Sequence, residues 1–248
     1  MSESYTIFGM HAVKAALEHE PDLVTQLLLE HNRRDERANY IVKLAGQAGI
    51  NIERVDRDTL DAIADGQRHQ GVVAKSQKSP ALNEKNLEAI LSTISEPAFL
   101  LILDGIQDPH NLGACLRTAD AVGVHAVIAP RDSACGLTST VRKVASGAAE
   151  TIPFIQVTNL VRTIKNLQQK GIWITGTDLD TDSEVYETDL TGPMALVLGA
   201  EGKGLRRLTR ETCDTLMKLP MLGTVQSLNV SVSAGVCLYE VLRQRRSL

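Results

Sequence analysis

A two-domain α/β protein is the fold class the sequence predicts, and three observations predict it. The chain has 248 residues, comfortable for two folded units of the usual 100 to 200 or so residues, one small and one larger. Its first seventy residues alternate short apolar runs with amphipathic stretches. From Phe99 onward, continuous apolar runs alternate with helical segments, the rhythm of a parallel sheet covered by helices.

Taken in order, the N-terminal elements are a helix beginning near Gly9, the run LVTQLLL, a helix through ANYIVKLAGQAG, then INIERV, DTLDAIADG and GVVAK. Gly49, just after AGQA, suits a helix C-terminus. These make a compact α/β domain over residues 1–75. Residues 76–97, SQKSPALNEKNLEAILSTISEP, are polar and bracketed by prolines, and predict a linker with room for one helix. The second domain spans 98–248. FLLILD is the pattern of a strand buried on both faces, and HAVIA, PFIQV, IWITG and MALVLG repeat it around helices such as NLVRTIKNLQQKG. The last twenty or so residues, from SLNVSVSAG onward, predict a long, mostly apolar helix.

Composition narrows the function class. Hydrophobic residues at 43% and charged residues at 23% are enough to bury a core. No basic, apolar leader opens the chain and no run reaches the roughly 20 apolar residues that cross a bilayer, so a cytoplasmic protein is expected. Cys115, Cys135, Cys213 and Cys237 have no C-x-x-C spacing and no neighbouring histidines; they read as packing residues, with neither a metal site nor a disulfide framework. The formal charge of −4 carries no basic footprint of a nucleic-acid binder. Any such surface is local, at Arg33, Arg34 and Arg37, at Lys203, Arg206, Arg207 and Arg210, or at Arg243, Arg245 and Arg246.

Three segments have the residue types of chemistry. DGIQDPHNLGACLRTADAVG, Asp104 to Gly123, follows a buried strand, so its loop lies outside the carboxyl end of the sheet, where α/β proteins place ligands. Asp108, Pro109 and Asn111 supply turn and cap chemistry. Arg117, six residues beyond Asn111, lies about 240° around a helix from it, off its face unless Asn111 precedes the helix. LVLGAEGKGL places Gly199, Gly202 and Gly204 after another buried strand, in a G-x-x-G-x-G spacing that matches neither the dinucleotide nor the P-loop pattern. Glu201 between them can orient a cationic or amide group. In LPMLGTVQSLNVSVSAGVCLYE, Ser227 suits a helix N-cap, and Asn229 falls in the first turn of an apolar helix, where a buried amide needs partners.

Together, in this order and spacing, the three segments resemble the motifs of the SpoU family of RNA ribose methyltransferases, within the SPOUT superfamily. The preceding domain, with HQGVVA at His69 to Ala74, is similar to the ribosomal-protein-like substrate-binding domain of bacterial members. The resemblance covers nearly the whole chain, with slight departures at Leu219 and Ser233. It implies a C-terminal region threaded into a deep trefoil knot, a homodimer with sites near the subunit interface, and S-adenosylmethionine as cofactor without a metal. Carried over residue by residue, it places the cofactor at Gly199, Ala200, Gly202, Leu219, Met221, Ser227 and Leu228. The functional polar set becomes Asn111, Arg117, Glu201 and Asn229.

The expected substrate is a guanosine 2'-hydroxyl in the peptidyl-transferase region of 23S rRNA, in free rRNA or in a large-subunit assembly intermediate. A guanidinium, with a pKa above about 12, is a poor base. Arg117 is therefore expected to hold the target's phosphate and stabilise charge on the 2'-oxygen, with Glu201 orienting Arg117 and Asn111 fixing its loop. RNA binding is expected to use Arg33, Arg34, Arg37 and Arg68, doubled by dimerisation.

Overall fold

The computed structural model describes residues 4–77 and 81–247. Residues 1–3 of the expected first domain, 78–80 of the expected linker and 248 lie outside the described residues. The chain forms two compact units, Met1–Pro80 with Leu137–Thr151, and Ala81–Gly136 with Ile152–Leu248.

In the first unit, β1 (Ser4–Phe8), β2 (Val24–Glu30), β3 (Asn51–Val55) and β4 (Val72–Gln77) form a sheet in the order β1-β4-β2-β3. β4 runs antiparallel to β1 and β2, and β2 runs parallel to β3. Helices α1 (Met10–His19), α2 (Glu36–Gln47) and α3 (Arg57–Ala64) connect them. The Asp35 side chain caps α2 by accepting from the Ala38 N–H. At the other end Gly49 takes φ 68°, letting Ile50 N–H reach the Ala45 carbonyl at 2.9 Å; this closes the helix with the αL residue the sequence places there. Met10, Val13, Ala16 and Leu17 of α1 pack with Leu27, Leu29 and Ile41 in one core.

The chain leaves the second unit after Gly136 and returns to it at Ile152. Between them, α6 (Ser139–Ala145) packs on β1 and α7 (Ala148–Thr151) on α1. Buried Arg142 and Glu150 form an ion pair, and the Arg142 guanidinium sits 4.2 Å from the centre of the Tyr5 ring. Burial pushes the Glu150 carboxyl up from its ordinary pKa, against the pull of Arg142. Removing one member of a buried pair strands the other charge, at a cost of about 3–5 kcal/mol. Arg142→Met is therefore expected to destabilise this unit by that amount in chemical denaturation, and to speed hydrogen exchange in α1; a cost below about 1 kcal/mol, the scale of an exposed pair, contradicts it.

The second unit is built on β5 (Phe99–Asp104), β6 (Ala126–Pro130), β7 (Phe154–Val157), β8 (Trp173–Thr177), β9 (Met194–Gly199) and β10 (Thr215–Met217). All pairs run parallel, in the order β10-β8-β9-β5-β6-β7. Every residue of β5 and β6 is buried, the consequence of helices on both faces. Helix α4 (Glu84–Thr93) occupies the expected linker, closed by a capping box of Asn83 and Asn86. Helices α5 (Pro109–Ala121), α8 (Leu160–Gln169), α9 (Arg207–Thr212) and α10 (Val230–Arg246) complete the unit, and α10 packs on α5.

Chain direction across this sheet reverses between β5 and β9. From β5 the chain proceeds to β6 and β7; from β9 it proceeds to β10 at the opposite edge. Asp104 and Gly199, the last residues of β5 and β9, face each other in the register. The loops leaving them diverge and open a crevice, the place where open α/β sheets bind ligands.

All four cysteines are free. Burial pushes the thiols of Cys115, Cys213 and Cys237 up to about 12 and raises that of half-buried Cys135. Since the thiolate is the nucleophile, an aromatic disulfide reagent at pH 8 is expected to label the native protein slowly, Cys135 first, and all four cysteines once it is denatured. Rapid labelling of Cys115 or Cys237 in the native state contradicts this packing.

Candidate active site

The loop after β9 is folded back on itself. Ala200 and Gly204 exchange backbone hydrogen bonds at 3.1 and 2.9 Å, so residues 201–203 form a tight turn. This requires the glycine spacing: a Cβ on Gly199 would sit 2.1 Å from the Gly204 carbonyl carbon, and Gly202 and Gly204 take φ of 72° and 64°, a region costly for other residues. Buried Asp104 pins the far end, accepting from Arg206 N–H at 3.0 Å and Arg206 Nε at 2.6 Å. Sequence reasoning had passed over this latch. Its one signal was a lone carboxylate ending the apolar run FLLILD.

Glu201, at the tip of that turn, ties three segments together. Its Oε1 accepts from Asn111 Nδ2 at 3.1 Å, Asn229 Nδ2 at 2.6 Å and Val230 N–H at 3.4 Å. Asn229 Nδ2 also donates to Asn111 Oδ1 at 2.9 Å, closing a ring of three side chains. Asn229 is the N-cap of α10, its Oδ1 accepting from Ser231 N–H at 2.9 Å. The helix thus begins two residues later than a cap at Ser227 would allow, because Glu201 holds the Asn229 amide in place. Its position outside the helix also accounts for a polar amide beside an apolar helix.

The expected Glu201–Arg117 contact is not formed. Asn111 is the third residue of α5, after the Asp108 cap, so Arg117 projects from another side of the helix. Arg117 is exposed, and its side chain has no hydrogen-bond or ion-pair partner among the described residues. The basic patches of this unit are likewise mostly engaged. Arg206 pairs with Asp104, Arg207 with Glu211 and Arg210 with Asp178; Arg243 pairs with Glu240, and Arg245 donates to the carbonyls of Pro97, Ala98 and Gly192.

Two cavities adjoin this ring. The larger, of about 860 Å³, is walled by the loops after β9 and β10 and by the approach to α10, and its lining includes Gly199, Ala200, Gly202, Leu219, Met221, Ser227 and Leu228. The seven residues of the expected cofactor set, scattered over thirty positions, thus line one cavity. Asn229 lines the larger cavity, Asn111 the smaller one of about 400 Å³, and Glu201 both. In the first unit, Arg34, Arg37 and Arg68 are exposed, whereas Arg33 is bound to Asp35 and to the Gln70 carbonyl. Among the described residues no group of three or more His, Cys, Asp or Glu could hold a metal ion, and no helix is long and apolar enough to cross a membrane.

Residues 98–239 match the SpoU rRNA Methylase family, and residues 6–81 match the RNA 2'-O ribose methyltransferase substrate binding family. The 23S rRNA (guanosine-2'-O-)-methyltransferase RlmB of Pseudomonas aeruginosa is 54% identical over 248 residues, covering 100% of both chains. That of Ralstonia nicotianae is 54% identical over 246 residues, 99% of this chain and 98% of the relative. Among solved structures, the SpoU methyltransferase AviRb of Streptomyces viridochromogenes in complex with the cofactor AdoMet superposes with a TM-score of 0.80 at 25% identity, over 99% of this chain and 92% of that one. With its second unit matched to the family, its first to the substrate-binding module, and relatives above half identity end to end, the chain belongs to the SpoU rRNA methylase family.

Proposed function

We propose that this chain transfers a methyl group from S-adenosylmethionine to the ribose 2'-hydroxyl of a guanosine in 23S rRNA, in the cytoplasm and as a homodimer. The observation that carries the reading is the Asn111–Glu201–Asn229 ring between two cavities at the switch point of the sheet. Membership of the family and the naming of the full-length relatives support the substrate.

The larger cavity fits the cofactor. Gly199 leaves room for the Gly204 backbone to close the turn that borders the cavity, while Leu219, Met221 and Leu228 offer apolar walls for an adenine ring and a methionyl chain. When bound, S-adenosylmethionine supplies an electrophilic methyl group on a sulfonium whose leaving group is a neutral thioether. Ala200, Gly202 and Ser227 would complete its contacts. One oxygen of Glu201, Oε1, takes all three donors, and through it the carboxylate locks the Asn111 and Asn229 amides. Threading of the C-terminal region into a deep trefoil knot is part of this reading, and membership of the family supports it.

Arg117 holds the target's phosphate and stabilises charge developing on the 2'-oxygen. Because it projects away from its own Asn111, it serves the cavity of the second copy. Val232 and Tyr239, seven residues apart on one side of α10 and both exposed, give that copy an apolar face to cover. Arg34, Arg37 and Arg68 present charge to RNA, and Arg33 braces their loops.

The test is transfer of labelled methyl groups from S-adenosylmethionine to rRNA and tRNA of cells lacking the gene, followed by mapping. Label at one 23S guanosine, absent with Arg117→Ala, is the expected result. No transfer to rRNA, naked or in assembling subunits, overturns the reading.

A further inference from the structure

We propose that the smaller cavity receives the acceptor nucleoside itself, base and ribose together, with the phosphates left outside; the proposal rests on the methyl-transfer reading above. Methyl transfer needs the acceptor oxygen in contact with the methyl carbon, so a donor in one cavity and an acceptor in the other can react only at the border the two share. Residues Ala200, Glu201, Lys203, Gly204, Leu205 and Val230 line both cavities, so the acceptor hydroxyl belongs on the Asn111 side of Glu201.

Size and chemistry select what enters. At about 400 Å³ the cavity lies within the roughly 300–1,000 Å³ of small-molecule sites, more than a ribose needs. Its charged lining consists of three carboxylates, Asp104, Asp108 and Glu201, against two cations, Lys203 and Arg206, leaving one excess negative charge. Asp104 and Arg206 neutralise each other, so the space faces Asp108 and Glu201 against Lys203. That balance repels phosphate and suits a neutral ligand rich in N–H and O–H donors. Gln107 and Ser133 add further polar groups to the lining. The pocket is preformed: Ser133 holds φ of 60°, and strain of this sort in a residue other than glycine persists where surrounding structure fixes it. The Cys135 N–H bond to the Ile106 carbonyl, at 2.8 Å, supplies part of that fixing. A base drawn into such a pocket has to be unstacked, which fits RNA recognition through splayed-out nucleotides.

The larger cavity provides the control. Gln107 lines only the smaller cavity and Leu179 only the larger, and both are exposed. Gln107→Trp is expected to raise the KM for rRNA at least tenfold while leaving the Kd for S-adenosylmethionine, by calorimetry, within twofold. Leu179→Trp is expected to do the reverse. In the wild-type protein, guanosine added with S-adenosylhomocysteine should shift the NMR amide signals of Gly105–Asp108 and Ser133, whereas inorganic phosphate should not. A normal rRNA KM in Gln107→Trp, or a guanosine footprint elsewhere, overturns the proposal. Failure of the wild type to transfer methyl at all, with that footprint present, instead refutes the methyl-transfer reading.

Discussion

Gly199→Ala is expected to abolish cofactor binding while the sheet still folds. The added Cβ would lie 2.1 Å from the Gly204 carbonyl carbon and 2.3 Å from the Leu205 nitrogen, both backbone atoms that cannot rotate aside. The bonds between Ala200 and Gly204 must then open, releasing the turn that forms one wall of the larger cavity and carries Glu201 to Asn111 and Asn229. Overpacking of this kind costs about 1–3 kcal/mol or more, within the stability of a typical domain. Calorimetry should show the affinity for S-adenosylmethionine falling at least a hundredfold, with circular dichroism unchanged at 25 °C and a lowered Tm. Gly123→Ala is the contrast: that glycine has positive φ, at 77°, and a Cβ there meets nothing within 4 Å, so stability drops and binding does not. Retention of full affinity in Gly199→Ala would show that the loop is not a cofactor wall.

How far the sequence could be read follows from the range of the interactions involved. β5, β6 and β9 announce themselves because burial on both faces makes nearly every position apolar. β10 does not: Thr215–Met217 is three residues long, and pairing with β8 makes it a strand. The folding of 137–151 into the first unit is equally hidden, since Arg142 finds Tyr5 across more than 130 positions and nothing near either residue indicates the other. In the site, resemblance supplied the polar residues, but pairing them required coordinates. Its sequence context suits Glu201 to orient a cationic or an amide group, and it binds two amides, because the turn at 201–203 directs it toward α10. The helical spacing of Asn111 and Arg117 was informative throughout: six residues inside a helix cannot converge on one face, and the cap at Asp108 places both inside it.

That spacing leads to the second large effect. If Arg117 completes the partner's cavity, Arg117→Ala and Asn229→Ala each leave every site of a homodimer incomplete, and each should lower single-turnover methylation by roughly a hundredfold or more, as loss of an oxyanion-stabilising donor does. Their mixture behaves differently. With random reassortment half the dimers are mixed, and in each of these one cavity has an intact Asn229 together with an intact Arg117 from the other chain. Activity should return to about a quarter of wild type, although neither parent is active. Lysine is not expected to substitute for Arg117, because it lacks the planar fork that grips a phosphate while leaving N–H groups for a second oxygen. A mixture no more active than its parents, with subunit exchange verified by mass-tagged chains, would place Arg117 in its own protomer's site. Its exposed position on α5, without a partner among the described residues, would then have to be explained by movement of that helix end on RNA binding, which hydrogen exchange across residues 109–121 would reveal.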